Sequence, residues 1–571
     1  MSIRRPHHPS GSSSSGKNVS LARVDAPTSS RHGVITAVVC LALAAVVAAM
    51  ASLNVALPEI ARDTHATQTD LVWVIDAYSL AFASLLLIGG GFGDRYGRRM
   101  ALIVGLVIFG AGSAIAMAAT TASELIALRA TLGLGAALVM PATLSTITST
   151  FPESKRTGAV SIWAAVGGGA AILGLLASGA LLAAFSWRSI FALNVVLGVV
   201  ALAGTLSFVP ESADPNAPKL DVAGAAIAVA GLVALVFSVI EAPTYGWLAT
   251  RTLTGLILGF LLIAAFILWE LRQEHPLLDP RVFRNRALST GSMSIFVQFF
   301  AFFGFTFIGM QYLQLVRGDS PLLAAVQVLP MAVAMIPTSR LAPALTARYG
   351  TRTVCAGGLA LVAAGLAIIA QAGTDTPYVL MAGGLVVLGI GMGAAMTPAT
   401  SAITEALPRA QQGVGSALND LSREVGGATG IAVIGSVLTS TYSSHVNLTG
   451  LSSRVAAEVK ASYAAASRLG AEVSGRAHTA FVTAMHVALL TGAGAALTAA
   501  LATLILLARR QQGASSDERG TADTASCPST VIVQTPRAAD AANVVEHHPR
   551  RFNPFGGSSN SGDLTCARGM R

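Results

Sequence analysis

The run Gly90-Gly91-Phe92-Gly93-Asp94-Arg95-Tyr96-Gly97-Arg98-Arg99 decides how this chain is organised. It ends one apolar stretch, near 70–91, and leads directly into another, near 100–119. A tight Gly-rich turn between two helices brings Asp94 close to helix ends. A carboxylate there is favoured by a helix N-terminus and by neighbouring guanidinium groups. Such a cluster can form in one conformation and break in another, so Gly90, Asp94, Arg95, Gly97, Arg98 and Arg99 read as a conformational latch. The plainer alternative is a turn carrying ordinary juxtamembrane basic charge. A related run, Ala347-Arg348-Tyr349-Gly350-Thr351-Arg352, follows a later apolar stretch.

Composition widens that reading to the whole chain. Of 571 residues, 53% are hydrophobic and 11% charged, where a soluble protein averages about 25% charged. The mean hydropathy is +0.65. Several soluble domains, coiled coils, long disorder and disulfide scaffolds are all excluded by that balance. The +9 net charge lies between apolar runs rather than on one soluble face, which argues for membrane topology and against nucleic acid. Cys40 and Cys355 fall in apolar runs, Cys527 and Cys566 in the polar tail, and no metal-binding spacing is present.

Fourteen apolar spans can be placed, near 34–57, 70–91, 100–119, 122–148, 158–182, 190–209, 221–241, 252–270, 290–315, 321–346, 352–372, 376–405, 413–440 and 481–507. They must be helices, since a lipid-exposed segment has to satisfy its own backbone hydrogen bonds. The first is too long for a signal-peptide core and reads as an uncleaved span. An even count puts both termini on one side. Thirteen basic residues, among them Arg95, Arg98, Arg99, Lys155, Arg156, Arg281, Arg284, Arg286, Arg348 and Arg352, then share the connectors of that side. The short opposite connectors hold only Arg62, Arg188, Arg251 and Arg317. Both termini are therefore expected in the cytoplasm. The two Arg-Tyr-Gly turns follow spans 2 and 10, an offset that fits two six-helix repeats separated by two extra helices. The expected organisation is a polar, disordered segment at 1–32, a six-helix bundle at 33–209, two additional helices and a connector at 210–289, a second bundle at 290–508 and a disordered tail at 509–571.

The Asp94 turn resembles the loop between helices 2 and 3 of the major facilitator superfamily. The likeness extends over about 33–508 to the fourteen-helix drug:proton antiporter family (EmrB/QacA/SmvA type). It is carried by Leu53-Asn54-Val55-Ala56-Leu57-Pro58, by Trp73-Val74-Ile75-Asp76-Ala77-Tyr78-Ser79-Leu80, and by Arg129 through Met140-Pro141. Ser186-Trp187-Arg188, Val209-Pro210-Glu211-Ser212 and Pro276-Leu277-Leu278-Asp279 match recurring connectors, and Asn419-Asp420, Arg423-Glu424 and Gly426-Gly427 resemble the start of helix 13. Three positions depart from the family pattern. The helix 1 acid, nine residues before Pro58, is replaced by Ala49. The Gly-Pro of helix 5 becomes Gly174-Leu175 in the run Gly174-Leu175-Leu176-Ala177-Ser178-Gly179. Met335 stands where some members carry a helix 10 acid.

A bare charge at membrane depth costs about 2.5–3.5 kcal/mol on insertion scales, so each one needs a partner or a function. Asp76 lies inside the second span with Trp73 and Ser79 within a turn. It is a candidate proton-coupling or substrate site, the alternative being a helix-end carboxylate facing water. Arg129 could relay to it or form a packing ion pair; the family resemblance implies coupling. Asp420 and Glu424 share a helix face, with Arg423 in reach of Asp420 and Asn419, and a gate or packing role is favoured over substrate binding. His486 reads as a hydrogen-bonded helix residue. Gly167, Gly168 and Gly169 with Gly174 and Gly179, and Gly389, Gly391 and Gly393, read as close-packing positions. Phe299, Phe300, Phe302, Phe303 and Phe305 could line a pocket, although core filling or lipid contact is the plainer expectation.

With the resemblance, these residues imply a secondary transporter of the cell membrane. It would export small amphipathic compounds by proton antiport and use no cofactor beyond the proton gradient. An uncoupled facilitator or importer is the alternative within the fold. A membrane enzyme or sensor would need a nucleophile, metal or signalling constellation that the sequence lacks. The expected partners are the substrate, protons and the lipid bilayer, with the chain acting as a monomer.

Overall fold

The computed structural model describes residues 29–213, 221–274, 276–407 and 412–522, and among these it contains helices and turns but no strand. In order the helices are α1 (Ser29–Thr64), α2 (Gln68–Tyr96), α3 (Arg98–Ala116), α4 (Ala122–Thr150), α5 (Glu153–Leu182), α6 (Arg188–Phe208), α7 (Val222–Tyr245) and α8 (Thr250–Glu270). After a short 3-10 turn at Pro280–Arg284 come α9 (Arg286–Gln311), α10 (Pro321–Gln327), α11 (Leu329–Ile369), α12 (Tyr378–Glu405), α13 (Gln412–His445), α14 (Ser453–Ala461), α15 (Tyr463–Ala466) and α16 (Ala471–Ala522). Among the described residues thirteen helical segments are long and apolar enough to cross a membrane, and one of them, Pro321–Ile369, is 49 residues long. Non-helical backbone at Gly350 (φ 79°, ψ 151°) splits that segment into two crossings. The fourteen expected spans are thereby accounted for.

The differences lie at the ends. Helical hydrogen bonding is cooperative and continues past the apolar run into polar sequence. Thus α1 extends to Thr64 rather than 57, and α16 starts at Ala471 rather than 481. Residues 509–522, expected as part of a disordered tail, are helical, and so are 29–32; the remainder of both termini lies outside the described residues. One compact unit ends at Gly513 and a second begins at Ala514, where the described residues 514–522 are helical. The stretch after α13 also holds more structure than a loop. Tyr463 stacks on Phe481 with centroids 4.2 Å apart, and the Tyr442 hydroxyl donates to the Val459 carbonyl at 2.9 Å.

Sharp starts to the helices come from side-chain caps. Thr67 with Asp70 opens α2 and Thr121 with Glu124 opens α4, each as a reciprocal capping box. In the first half α1 packs on α5 and α6, α2 on α4, and α3 on α4 and α6. In the second, α9 packs on α12 and α13, and α11 on α12. The halves meet along α2–α13, α5–α10 and α1–α9. The extra pair, α7 and α8, packs mainly on itself, but α7 also lies against both α2 and α13, over one of those seams.

Candidate functional site

In the first half, α2 and α4 hold the ionisable pair singled out from the sequence. Both Asp76 and Arg129 are buried. The Arg129 guanidinium donates to the carbonyls of Val74 (3.0 Å), Ala49 (3.3 Å) and Ile75 (3.5 Å). It also lies 4.3 Å from the centre of the Tyr78 ring, and the Tyr78 hydroxyl in turn donates to the Val46 carbonyl at 2.8 Å. Carbonyl dipoles and an aromatic face thus carry the charge. Arg129 forms no ion pair with Asp76 in this conformation, and both Asp76 oxygens and the Ser79 hydroxyl are buried without a hydrogen-bond partner. The backbone of Ala49, where the family pattern has an acid, is one of the groups that hold Arg129.

The second half places its charges differently. A cavity of about 90 Å³ lies between the halves. Six methionines line it, Met50, Met140, Met331, Met335, Met392 and Met396, together with Phe82, Phe299, Phe302, Phe303, Arg423 and Glu424. Arg423 pairs with Asp420 at 3.6 Å and lies 4.7 Å from the centre of the Phe299 ring. Glu424 keeps one carboxylate oxygen, Oε2, buried and unpartnered. Asn419, next to this pair, accepts from the Thr400 hydroxyl at 3.0 Å, tying α13 to α12.

Three of the five phenylalanines thus line the cavity, contrary to the core-filling expectation; Phe300 and Phe305 are buried elsewhere. One helix shows different faces to cavity and core, and adjacent phenylalanines divide between them. Gly167 and Gly168 also line the cavity, and a Cβ at Gly168 or Gly169 would meet nothing within 4 Å. Close packing is instead found at Gly389, Gly391 and Gly393, where a Cβ would collide with the facing arms of α11.

The Asp94 turn is a closed cluster within the first half. Asp94 accepts a salt bridge from Arg98 at 2.9 Å. The connector after α6 completes the cluster: the Ser212 carbonyl accepts from Arg98 N at 3.0 Å, and Glu211 accepts from Arg99 N at 3.3 Å. Arg99 also donates to the Leu206 carbonyl at 2.6 Å. Gly97 sits at φ 115°, and a Cβ there would strike the Glu211 carboxylate. Arg95 stacks on Tyr96, 5.8 Å from its ring centre, and Gly90 passes Pro141 at ordinary contact distance.

At the opposite face the halves are bridged by Gln68 donating to Gln311 (3.0 Å) and Gln314 donating to the Val55 carbonyl (2.9 Å). Beside them a polar cleft of about 370 Å³ is lined by Glu59, Arg62, Asp63, Gln314 and Arg468. Burial, and then the charge of Arg62, lowers the Arg468 guanidinium from its ordinary value, against the pull of Asp63. The Ser186-Trp187-Arg188 connector closes on the same acids, with Trp187 Nε1 donating to Asp63 at 3.0 Å and Arg188 pairing with it at 3.3 Å. His486 contacts the carbonyl of Ala372, just beyond the end of α11, at 3.0 Å, so it is a hydrogen-bonded residue of its helix.

Sequence reasoning missed the methionine lining and Glu241. This acid of α7 accepts from Trp73 Nε1 at 2.9 Å. An acid inside an apolar run, the signal that picked out Asp76, would have found Glu241 as well. The methionines come from four helices and carry no local signature.

Comparison with known proteins agrees with this architecture. The model of the Major Facilitator Superfamily matches residues 39–431. The chain is 33% identical over 461 residues to the methyl viologen resistance protein SmvA of Salmonella typhimurium, covering 80% of this chain and 92% of that one. It is 31% identical to the multidrug efflux pump LfrA of Mycolicibacterium smegmatis, covering 84% and 95%. With the tetracenomycin C resistance and export protein of Streptomyces glaucescens it shares 30% identity over 80% and 86%. Among solved structures, a bacterial homologue of the human lysosomal transporter Spinster superposes with a TM-score of 0.60 at 15% identity, over 84% of this chain and 99% of that one. The chain is a multi-pass membrane protein of the Major Facilitator Superfamily and belongs to its drug:proton antiporter family.

Proposed function

We propose that this protein exports small amphipathic compounds in exchange for protons, by exposing the central cavity alternately to the two sides of the cell membrane. Both termini lie in the cytoplasm in this reading, and the proton gradient is the energy source. The observation that carries it is the separation of two polar centres. One is a Met- and Phe-walled cavity between the halves with Glu424 and Arg423 on its wall; the other is a sealed carboxyl, Asp76, on the neighbouring helix seam.

Methionine and phenylalanine supply an adaptable, polarizable surface that accepts many apolar shapes. Asp420 offsets Arg423 and Glu424 adds one further acid to the wall, so the cavity suits a neutral or singly cationic amphipath. Met335 lines it where a second acid would favour a dication. The relatives named for resistance to methyl viologen, for multidrug efflux and for tetracenomycin C export support the substrate class. An ionised carboxylate at Asp76 would have no compensating donor here, so the group carries its proton in this conformation and gives it up when the seam opens. Arg129, held by carbonyls of α1 and α2, fixes the geometry of that helix pair.

The test uses everted vesicles energised to be acidic inside. Adding a lipophilic cation such as ethidium should partly dissipate the gradient and lead to its accumulation in the lumen. Accumulation without any disturbance of the gradient would replace antiport with facilitation.

A further inference from the structure

We propose that Glu241, on the additional helix α7, is a second proton-carrying carboxyl that supplies Asp76 from the membrane face opposite the Arg-rich connectors. The inference rests on the antiport reading above and gives the extra helix pair a part in coupling. Glu241 is partly buried within a membrane-crossing helix, a placement that is costly without a function. Its carboxylate accepts from the indole of Trp73 at 2.9 Å. Trp73 is three residues before Asp76 on α2, so the two side chains share a face. One turn further along that face lies the buried, unpartnered hydroxyl of Ser79. Glu241, Trp73, Asp76 and Ser79 therefore run as a polar line from the outer end of the α2–α7 contact towards the middle of α2.

The neighbouring bonds hold this line at the seam between the halves. Trp73 belongs to the first half, while Ser436 of the second donates to the Val239 carbonyl at 2.7 Å, two residues from Glu241. Trp247 Nε1, just beyond α7, donates to Ser440 at 2.9 Å. The other charged groups on the facing ends of the packed elements are Asp70 of α2, Arg251 of α8 and His445 of α13. Asp70 is engaged in its capping box, Arg251 stacks on Tyr245 at 4.1 Å, and His445 contacts Thr441 and Ser444 of its own helix. None forms an ion pair with Glu241 among the described residues.

In the transfer, the proton leaves the Glu241 carboxyl oxygen and joins the Asp76 carboxylate. Glu241 is left as a carboxylate stabilised by the indole N–H and is reprotonated from the outer face. The present arrangement, with an indole donor on Glu241 and no donor on Asp76, corresponds to the state after that transfer.

Glu241→Gln separates proton carriage from structural bracing, because its amide oxygen still accepts from Trp73 while the group no longer titrates. Ethidium-driven proton flux is compared in everted vesicles for wild type, Glu241→Gln and Glu241→Asp, at near-neutral and acidic lumen. With the near-neutral lumen, the Gln variant should be slower by roughly tenfold, within what a positioned acid contributes to proton transfer. Acidifying the lumen should restore most of its flux, and Asp should restore flux at both pH values. A Gln variant equal to wild type at both pH values, or slowed equally at both, overturns the proposal. If wild type itself exchanges no protons, it is the antiport reading that has failed, and the inference falls with it.

Discussion

The two halves of the molecule each set an arginine beside a buried acid, and they treat them in opposite ways. In the first half, Arg129 is satisfied by three backbone carbonyls and a tyrosine face, and Asp76 is left alone in a sealed interface. In the second, Arg423 is paired with Asp420 and stands with Glu424 on the cavity wall. A permanent charge held by dipoles does not need its neighbouring carboxylate, which leaves that carboxylate free to change its proton. A charge paired within its own helix leaves a nearby acid facing the cavity, where a substrate can meet it. In the function proposed above, proton and substrate thus have different addresses.

The two repeated turns differ in the same spirit. Gly97 and Gly350 both adopt positive φ, but Gly97 is boxed in by Glu211, whereas a Cβ at Gly350 would meet nothing within 4 Å. One turn is clamped to the connector after α6; the other, with Ala347 in place of the acid, has open space at its glycine.

The largest expected effect breaks the first side of the comparison. Arg129→Ala should destabilise the protein in detergent by about 2–4 kcal/mol, from lost charge-assisted bonds and the cavity left behind. Arg423→Ala should cost clearly less, since Arg423 is only partly buried; thermal melts of the two variants test the difference. Next, Gly97→Ala should cost about 1–3 kcal/mol through strain plus the collision with Glu211. Gly350→Ala carries the strain alone, about 1 kcal/mol, so equal melts would refute the clamp. Glu424→Gln should weaken ethidium binding about tenfold, or ~1.4 kcal/mol, and leave a neutral amphipath nearly unaffected. The smallest effect is Met335→Glu, which should strengthen binding of dicationic methyl viologen by about threefold through an added nearby charge, read by competition against ethidium.

Much of the fold was legible because hydropathy reports membrane crossing directly. The count of fourteen also holds at Gly350, where non-helical backbone divides α11 into two crossings, because Arg348 and Arg352 marked the turn. The connectors were recognisable as motifs, but their partners were not: that Glu211 closes on Arg99, or Trp187 on Asp63, depends on residues over 100 positions apart. The cavity was the least legible part. Phe299 and Phe300 are chemically identical neighbours, and only the packing of α9 against α13 and α12 sends the first to the cavity and the second into the core. For Arg129 the sequence offered Asp76 as partner, whereas backbone carbonyls, invisible to any motif, hold it instead.

The central claim is that substrate and proton occupy separate sites, and one paired measurement reaches it directly. Ethidium affinity and proton release on ethidium binding are followed together in purified protein, for Asp76→Asn and Glu424→Gln. Asp76→Asn should bind ethidium with near wild-type affinity and release no proton, while Glu424→Gln should bind about tenfold more weakly and still release one at saturation. Loss of affinity in Asp76→Asn matching that in Glu424→Gln, or proton release that persists in Asp76→Asn, would contradict the account.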